Sequence, residues 1–441
     1  MKKILSSVVL AYFRFFAKIQ LKKFKPLIIG VGGASGKSSL SNFIYIILSK
    51  KYKVRQSKGK NSETGIPLNI LGIEITGYSK LFWLKAILLA PIKAFFDLKR
   101  YEIYVAEMGI DSPREPKNMS YLLKIIKPRI GVLTNISYEH SIYFDPFVLG
   151  EDRPEDILKM TAIQEGMLLT SIDEKGIAVV NLDDENIKKL APEVKASVIT
   201  VSKKDRKSDF FIESIKNYVD KFVMHFSFED KNFEFTLDNP LPEHFAYSFV
   251  LSIAVAKASG VEIGDAIEAL EKNFSVPAGR MSVFKGIKDT FLIDSSYNNA
   301  TLSPILDLLS FIKDIGKQRR RIGIIGDMRE LGTMSKTLHE EVAKKILETL
   351  DVAILIGPLS QLYIAPVLKK AHFDYYSFPN FTSSKQTIMD IIKPKDVILV
   401  KGSQNTLFLE RAVEMLLSDN KDKDKLCRRG EYWDRIREKT L

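Results

Sequence analysis

Along most of the chain, short apolar runs that suit buried strands alternate with longer stretches of helical periodicity. Leu27–Leu40 (LIIGVGGASGKSSL) begins as a strand and dissolves into small residues. The following Ser39–Ser49 (SLSNFIYIILS) has the apolar spacing of a buried helix. Val54–Ile73 reads as a polar, Gly-containing loop leading into an apolar helical stretch. Glu102–Gly109 and Ile125–Ile136 are two further strands. Asp183–Asp238 changes rhythm: polar and aromatic residues alternate, as in antiparallel hairpins. Pro240–Lys272 returns to helical spacing, and Ser275-Val276-Pro277-Ala278-Gly279 is the clearest linker. Beyond it Thr290–Asp294, Arg321–Gly326, Val352–Gly357 and Val397–Lys401 read as strands with helices between them.

Such alternation predicts mostly parallel sheets in an α/β protein. The expected architecture is a central domain (26–276) built on the turn at 32–39, with hairpins appended to its sheet. A smaller doubly wound α/β domain follows (277–420), then a charged tail (421–441), read as a loose linker with a terminal helix around Trp433. Residues 1–25 form a basic, apolar first helix. They superficially resemble a signal peptide but lack a small-residue cleavage site. Arg14, Lys18, Lys22 and Lys23 interleave with Phe and Leu there, and Leu81–Lys99 is a second basic apolar segment, expected to break at Pro91. Two readings stand for this pair, a helix packed on the protein body or peripheral contact with an anionic membrane surface.

Composition adds little to this outline. With 45% hydrophobic and 27% charged residues the chain is an ordinary globular one, and Cys427, the single cysteine, excludes an intramolecular disulfide framework and fits a cytoplasmic setting. The net charge of +12 is spread rather than gathered in a tract. It serves a solvated Lys-rich surface as well as it serves attraction to anions, and no nucleic-acid partner is expected.

Candidate chemistry gathers at the strands' carboxyl ends. The turn Gly33-Ala34-Ser35-Gly36-Lys37-Ser38-Ser39 opens a helix, where free backbone N–H groups and the helix dipole favour a phosphate. Lys37 would reach the β/γ-phosphates of ATP, and the Ser38 hydroxyl would hold Mg²⁺. Val31 stands where the strict pattern has its first Gly. Glu107 and His140 fall at the ends of two further strands. Each alone is as well read as an ordinary strand-end or loop residue; beside the phosphate turn they suit a second metal site.

The ordered set GGASGKSS (32–39), NSETGIPLNIL (61–71), AEMGIDSP (106–113), TNISYEH (134–140), GIAVVNLDD (176–184), PAGRM (277–281), IDSSYNNA (293–300), GDMRELG (326–332) and VKGSQN (400–405) resembles the Mur ligase family of ATP-dependent amide ligases. It is most similar to the type that adds D-alanyl-D-alanine to UDP-N-acetylmuramoyl-tripeptide, a nucleotide-sugar peptide. The resemblance implies that ATP phosphorylates a substrate carboxylate and that an amine displaces phosphate from the acyl phosphate. It implies Lys37, Glu107 and His140 as catalytic, with Ser38, Glu107 and His140 on Mg²⁺. It places Arg280, Asp294 and Asn298 on the nucleotide, and Asn61, Ser62, Glu63, Asn135, Glu165 and Lys401 around the substrates. Lys401 reads nearly as well as a strand-end surface lysine. Glu165 stands where the family carries a carbamylated lysine, and the family's N-terminal UDP-binding domain has no counterpart before residue 26. A monomer is expected. The alternatives are a related ligase with another acceptor, as in folylpolyglutamate synthases, and a non-catalytic nucleotide-binding subunit.

Overall fold

A computed structural model describes residues 2–74, 79–138, 141–148, 153–218, 221–297, 302–403 and 407–439, with side chains from residue 6 to 437. The chain forms two compact units. One comprises Met1–Ile215, Met224–Phe235 and Phe245–Phe274; the other comprises Lys216–Val223, Thr236–His244 and Ser275–Leu441.

The first unit is built on a nine-stranded sheet. Its strands are β1 (Leu27–Gly32), β2 (Val54–Gln56), β3 (Ile103–Glu107), β4 (Ile130–Leu133), β5 (Ile177–Asn181), β6 (Ser197–Ser202), β7 (Phe210–Asn217), β8 (Phe222–Phe228) and β9 (Lys231–Leu237). They lie in the order β2-β3-β1-β4-β5-β6-β7-β8-β9. Pairing is parallel from β2 to β7. Next to it, β8 and β9 follow as neighbours through short turns, which only antiparallel strands allow. β3 and β4 flank β1 on opposite sides, so the connections reverse direction there. This opens a crevice at the carboxyl end of β1, where ligands of such sheets gather.

Helix Lys37–Leu48 covers β1 and begins directly after Gly36, two residues before its apolar pattern does. Phe43 stacks on Phe249 with ring centroids 4.7 Å apart, and Phe235 and Phe274 close on Phe249 at 4.5 and 5.6 Å. Phe249 belongs to helix His244–Ala258, which is apolar on nearly every side and correspondingly buried.

Pro91 does not break its segment. Helix Lys80–Phe96 runs through it. A proline lacks the N–H that would bond the carbonyl four residues earlier, and that carbonyl, Ile87 O, instead accepts from the Tyr12 hydroxyl at 2.9 Å. Tyr12 belongs to helix Lys2–Phe24, so the first helix packs on the protein body and satisfies the group that the proline orphans.

The second unit carries six strands, β10 (Ser282–Gly286), β11 (Thr290–Ser295), β12 (Arg321–Gly326), β13 (Val352–Ile356), β14 (Tyr375–Phe378) and β15 (Val397–Lys401), ordered β10-β11-β15-β12-β13-β14. All pair in parallel except β10 on β11. A continuous apolar core, including Leu292, Ile324, Ile354, Ile388 and Val400, fills the layer beneath the sheet. The tail is not loose over its described residues, 421–439. Leu426, Cys427, Arg428 and Arg437 are buried, and helix Glu431–Lys439 is its last described element.

Candidate active site

In the first unit the site is assembled from three strand ends. Gly33 and Gly36 adopt φ +114° and +80°, open to glycine at little cost, and a Cβ on Gly33 would stand 2.2 Å from Thr134 Oγ1. The turn is therefore shaped by its close approach to the loop after β4. That loop holds it in return. Ala34 N donates to Asn135 O and Ser35 N to Asn135 Oδ1, at 2.8 and 2.9 Å, while Asn135 Nδ2 donates to Ser35 Oγ at 2.8 Å. The Thr134 hydroxyl donates to Ser35 O at 2.6 Å. The loop is itself anchored by Asp184, which accepts from Ile136 N at 2.8 Å, and by Asn181, whose amide donates to Thr134 O at 3.1 Å.

Lys37 Nζ lies over the turn, donating to Gly33 O and Ala34 O at 2.5 and 2.6 Å. Ser38 Oγ donates to Glu107, 2.9 and 3.1 Å from its two carboxylate oxygens, and Asn61 Nδ2 lies 3.4 Å from Oε1. Glu107 is only 4% exposed, and its own N–H is held by Ser57 Oγ at 2.9 Å. A nearly buried carboxylate and a hydroxyl are hard oxygen donors that suit Mg²⁺. Ser62 Oγ accepts from Gly65 N at 3.1 Å at the start of helix Gly65–Ile70, and Glu63 is half-buried beside it.

Glu165 is buried on helix Arg153–Thr170, and its Oε2 accepts from Gly33 N at 2.9 Å. Asn135 and Glu165, read from the sequence as substrate residues, are thus bonded to the phosphate turn itself. His140 and Asn298 lie outside the described residues. Among the described residues no three His, Cys, Asp or Glu side chains gather as a metal cluster.

In the second unit, Asp294 lies fully buried near the end of β11. Ser296 N donates to its Oδ1 at 3.0 Å, and its Oδ2 has no hydrogen-bond partner among the described residues. Burial raises its pKa from 3.8 to about 6. Arg280 lies over the Tyr297 ring at 5.5 Å from the centroid, and Arg428 over the same ring at 5.4 Å. Lys401 is 1% exposed, its Nζ 3.3 Å from Gly402 O, so it is no surface lysine.

The GDMRELG segment supplies one residue the sequence did not single out. Asp327 Oδ1 accepts from Ser360 N at 2.7 Å, and Ser403 Oγ donates to Asp327 O at 2.7 Å, tying the ends of three strands together. His339 Nε2 accepts from Met328 N at 3.1 Å while Nδ1 lies 2.6 Å from Ser335 O. That pattern needs the neutral ring, in agreement with the downward shift of its pKa by burial.

The raised pKa of Asp294 has a stability consequence. The unfolded carboxyl ionises first, so stability falls as pH rises from 3.8 toward about 6, and the full cost persists above that. A shift of that size corresponds to roughly 2–3 kcal/mol. Asp294→Asn is expected to stabilise the second unit by that order at pH 8 and to have little effect at pH 3. Urea unfolding of a Trp83→Phe background, followed by Trp433 emission, checks it. A gain independent of pH would be the contrary result.

A parallel sheet whose first strand feeds a Gly-Lys-Ser turn, with a carboxylate bonded to that serine at the neighbouring strand's end, defines an α/β enzyme of the P-loop nucleotide-dependent class. Family models match in two segments, the Mur ligase middle domain over residues 31–256 and the Mur ligase glutamate ligase domain over 279–404. The chain belongs to the Mur ligase family. Among its relatives, the UDP-N-acetylmuramoyl-tripeptide–D-alanyl-D-alanine ligase of Borreliella burgdorferi is 24% identical over 406 residues, spanning 91% of this chain and 77% of the relative. The Bacillus subtilis enzyme of the same name is 23% identical over 411 residues, spanning 91% and 78%. Among solved structures, MurF from Acinetobacter baumannii superposes with TM-score 0.74 at 18% identity, covering 92% of this chain and 80% of that one. MurF of Thermotoga maritima in complex with ADP gives 0.72 at 23% identity, covering 92% and 83%.

Proposed function

We propose that this protein is an ATP-dependent ligase of peptidoglycan precursor synthesis that joins D-alanyl-D-alanine to UDP-N-acetylmuramoyl-tripeptide. The observation that carries the reading is the Ser38–Glu107 pair at the mouth of the phosphate turn, in a chain that aligns over about nine-tenths of its length with ligases of that name. Residues 26–276 act as the ATP-binding domain and 277–420 as the ligase domain, between the first helix (1–25) and the tail (421–441).

In the proposed reaction a carboxylate oxygen of the tripeptide attacks the γ-phosphorus of ATP and ADP leaves. The amine of D-alanyl-D-alanine then attacks the acyl phosphate carbon, and the tetrahedral intermediate collapses to an amide with loss of phosphate and a proton. The backbone N–H groups of Gly36, Lys37 and Ser38 and the Lys37 ammonium face charge on the transferring phosphoryl group. Ser38 and Glu107, with His140, would hold Mg²⁺, which supplies neutralisation of the phosphate oxygens. Asn135 and Glu165 fix the turn through its N–H groups. Arg280, Asp294 and Asn298 are assigned to the nucleotide, and Asn61, Ser62, Glu63 and Lys401 to the substrates. The enzyme works as a cytoplasmic monomer in peripheral contact with an anionic membrane.

Phosphate release from ATP is expected only when both UDP-N-acetylmuramoyl-tripeptide and D-alanyl-D-alanine are supplied. Release with one of them, or none with both while ATP still binds, would redirect the reading to other carboxylate and amine pairs.

A further inference from the structure

Apart from three lysines, helix Lys80–Phe96 is apolar on all sides, yet the first unit covers only one of them. Its buried side is the stripe Ala86, Ala90 and Ala94, and helix Lys2–Phe24 packs against it. The opposite side repeats at spacings of three and four: Leu81, Leu84, Leu88, Ile92 and Phe95 are 75, 56, 61, 52 and 53% exposed. Phe96 and Leu98 continue the patch beyond the last turn at 75 and 85%. A helix apolar all round belongs in a core or in lipid, and a contiguous exposed patch of this kind marks a contact surface.

The patch is held rigidly outward. Tyr12 bonds Ile87 O across the proline gap, and Lys23 Nζ caps the helix end through Phe95 O and Asp97 O at 2.6 and 3.0 Å. Phe13 on Trp83 and Phe16 on Phe95, each with centroids 6.2 Å apart, complete the brace.

Charge selects the occupant. Neither helix contains an acidic residue. Lys80, Lys85, Lys99 and Arg100 on the exposed segment, and Lys18 and Lys22 on the brace, are exposed. A second copy seated on this face would set like charges against each other, whereas an anionic bilayer offers acyl chains to the leucines and phosphates to the lysines. No helix among the described residues is long and apolar enough to cross a membrane.

We propose that the exposed face of Lys80–Phe96, braced by Lys2–Phe24, lies in the plane of an anionic bilayer interface and anchors the enzyme there reversibly. This rests on the reading of peripheral membrane contact given above and names the element that makes it.

The test is sedimentation of the full chain with vesicles of phosphatidylglycerol and phosphatidylcholine, against phosphatidylcholine alone, with sedimentation velocity in parallel. Binding is expected on the anionic vesicles, weakened by salt. Leu84→Glu with Leu88→Glu should lower the partition at least tenfold while leaving the unfolding midpoint unchanged, since both positions are exposed. No binding of the unaltered chain at low salt would overturn the membrane reading and the anchor together. Full binding by the double variant would overturn the anchor alone. Equal binding to neutral vesicles would overturn the charge selection, and a dimer in solution that the double variant dissolves would make a second copy the occupant.

Discussion

Lys37→Ala is expected to lower turnover of ATP by about 10²–10³-fold or more in kcat, the loss that follows removal of one preorganised charge from a transition state. The ammonium is already at the mouth of the turn, held by Gly33 O and Ala34 O. Both carbonyls belong to the loop whose N–H groups would face the phosphates, so a small swing of the side chain transfers the charge from loop to phosphoryl group. In the alanine variant the turn keeps its shape, because Asn135, Thr134 and Glu165 fix it independently of residue 37. The expected signature is therefore a fall in kcat with an unchanged unfolding midpoint, read by phosphate release and by Trp83 emission in a Trp433→Phe background. Lys37→Arg should not restore the rate, since a planar fork does not occupy the place of a compact ammonium. Turnover above one-tenth of the unaltered enzyme would remove Lys37 from the proposed mechanism.

What the sequence made legible follows from how directly each feature is encoded. The strands Arg321–Gly326 and Val397–Lys401 stand as the apolar runs predict, because fully buried parallel strands read as unbroken apolar segments. The phosphate turn is equally local: its conformation needs glycine at 33 and 36, and its chemistry needs Lys37 and Ser38. Less local features were harder to see. The short edge strands β10 and β14 are half-exposed and weakly patterned. The continuity of helix Lys80–Phe96 through Pro91 depends on a hydroxyl 75 positions from its acceptor. The attachment of Asn135 and Glu165 to the turn likewise arises from a sheet order that brings β4 beside β1, which no window of sequence displays. The tail was the largest departure. Its charge suggests a solvated linker, but charged side chains also enter cores when a partner of opposite sign is waiting there.

That partner yields the second large effect expected. Arg428 and Glu410 form a two-pronged pair, Nε to Oε1 at 2.9 Å and Nη2 to Oε2 at 2.5 Å, with side chains 1 and 0% exposed. The guanidinium also lies 5.1 Å from the Phe408 ring centroid and 5.4 Å from that of Tyr297, and it reaches Ser296 O at 3.4 Å. Removing one member of such a pair strands the other charge out of water, which costs about 3–5 kcal/mol. Arg428→Ala should therefore destabilise the second unit by that amount, and Glu410→Ala by a similar one. Replacing both, as in Arg428→Met with Glu410→Leu, should recover much of the loss, because it removes both buried charges while keeping volume. Trp433 sits in the tail helix, so urea unfolding of a Trp83→Phe background reads the effect where it arises. A single variant within about 0.5 kcal/mol of its parent, the range of ordinary surface changes, would mean that the tail is bound to the unit by its apolar contacts alone. The pair also has a directional link to the site: Glu410 pushes the pKa of Asp294 up and Arg428 pushes it down. Loss of Arg428 should then leave Asp294 protonated to higher pH, whereas loss of Glu410 should let it ionise sooner, so the two single variants would shift the pH profile of unfolding in opposite directions despite similar losses of stability.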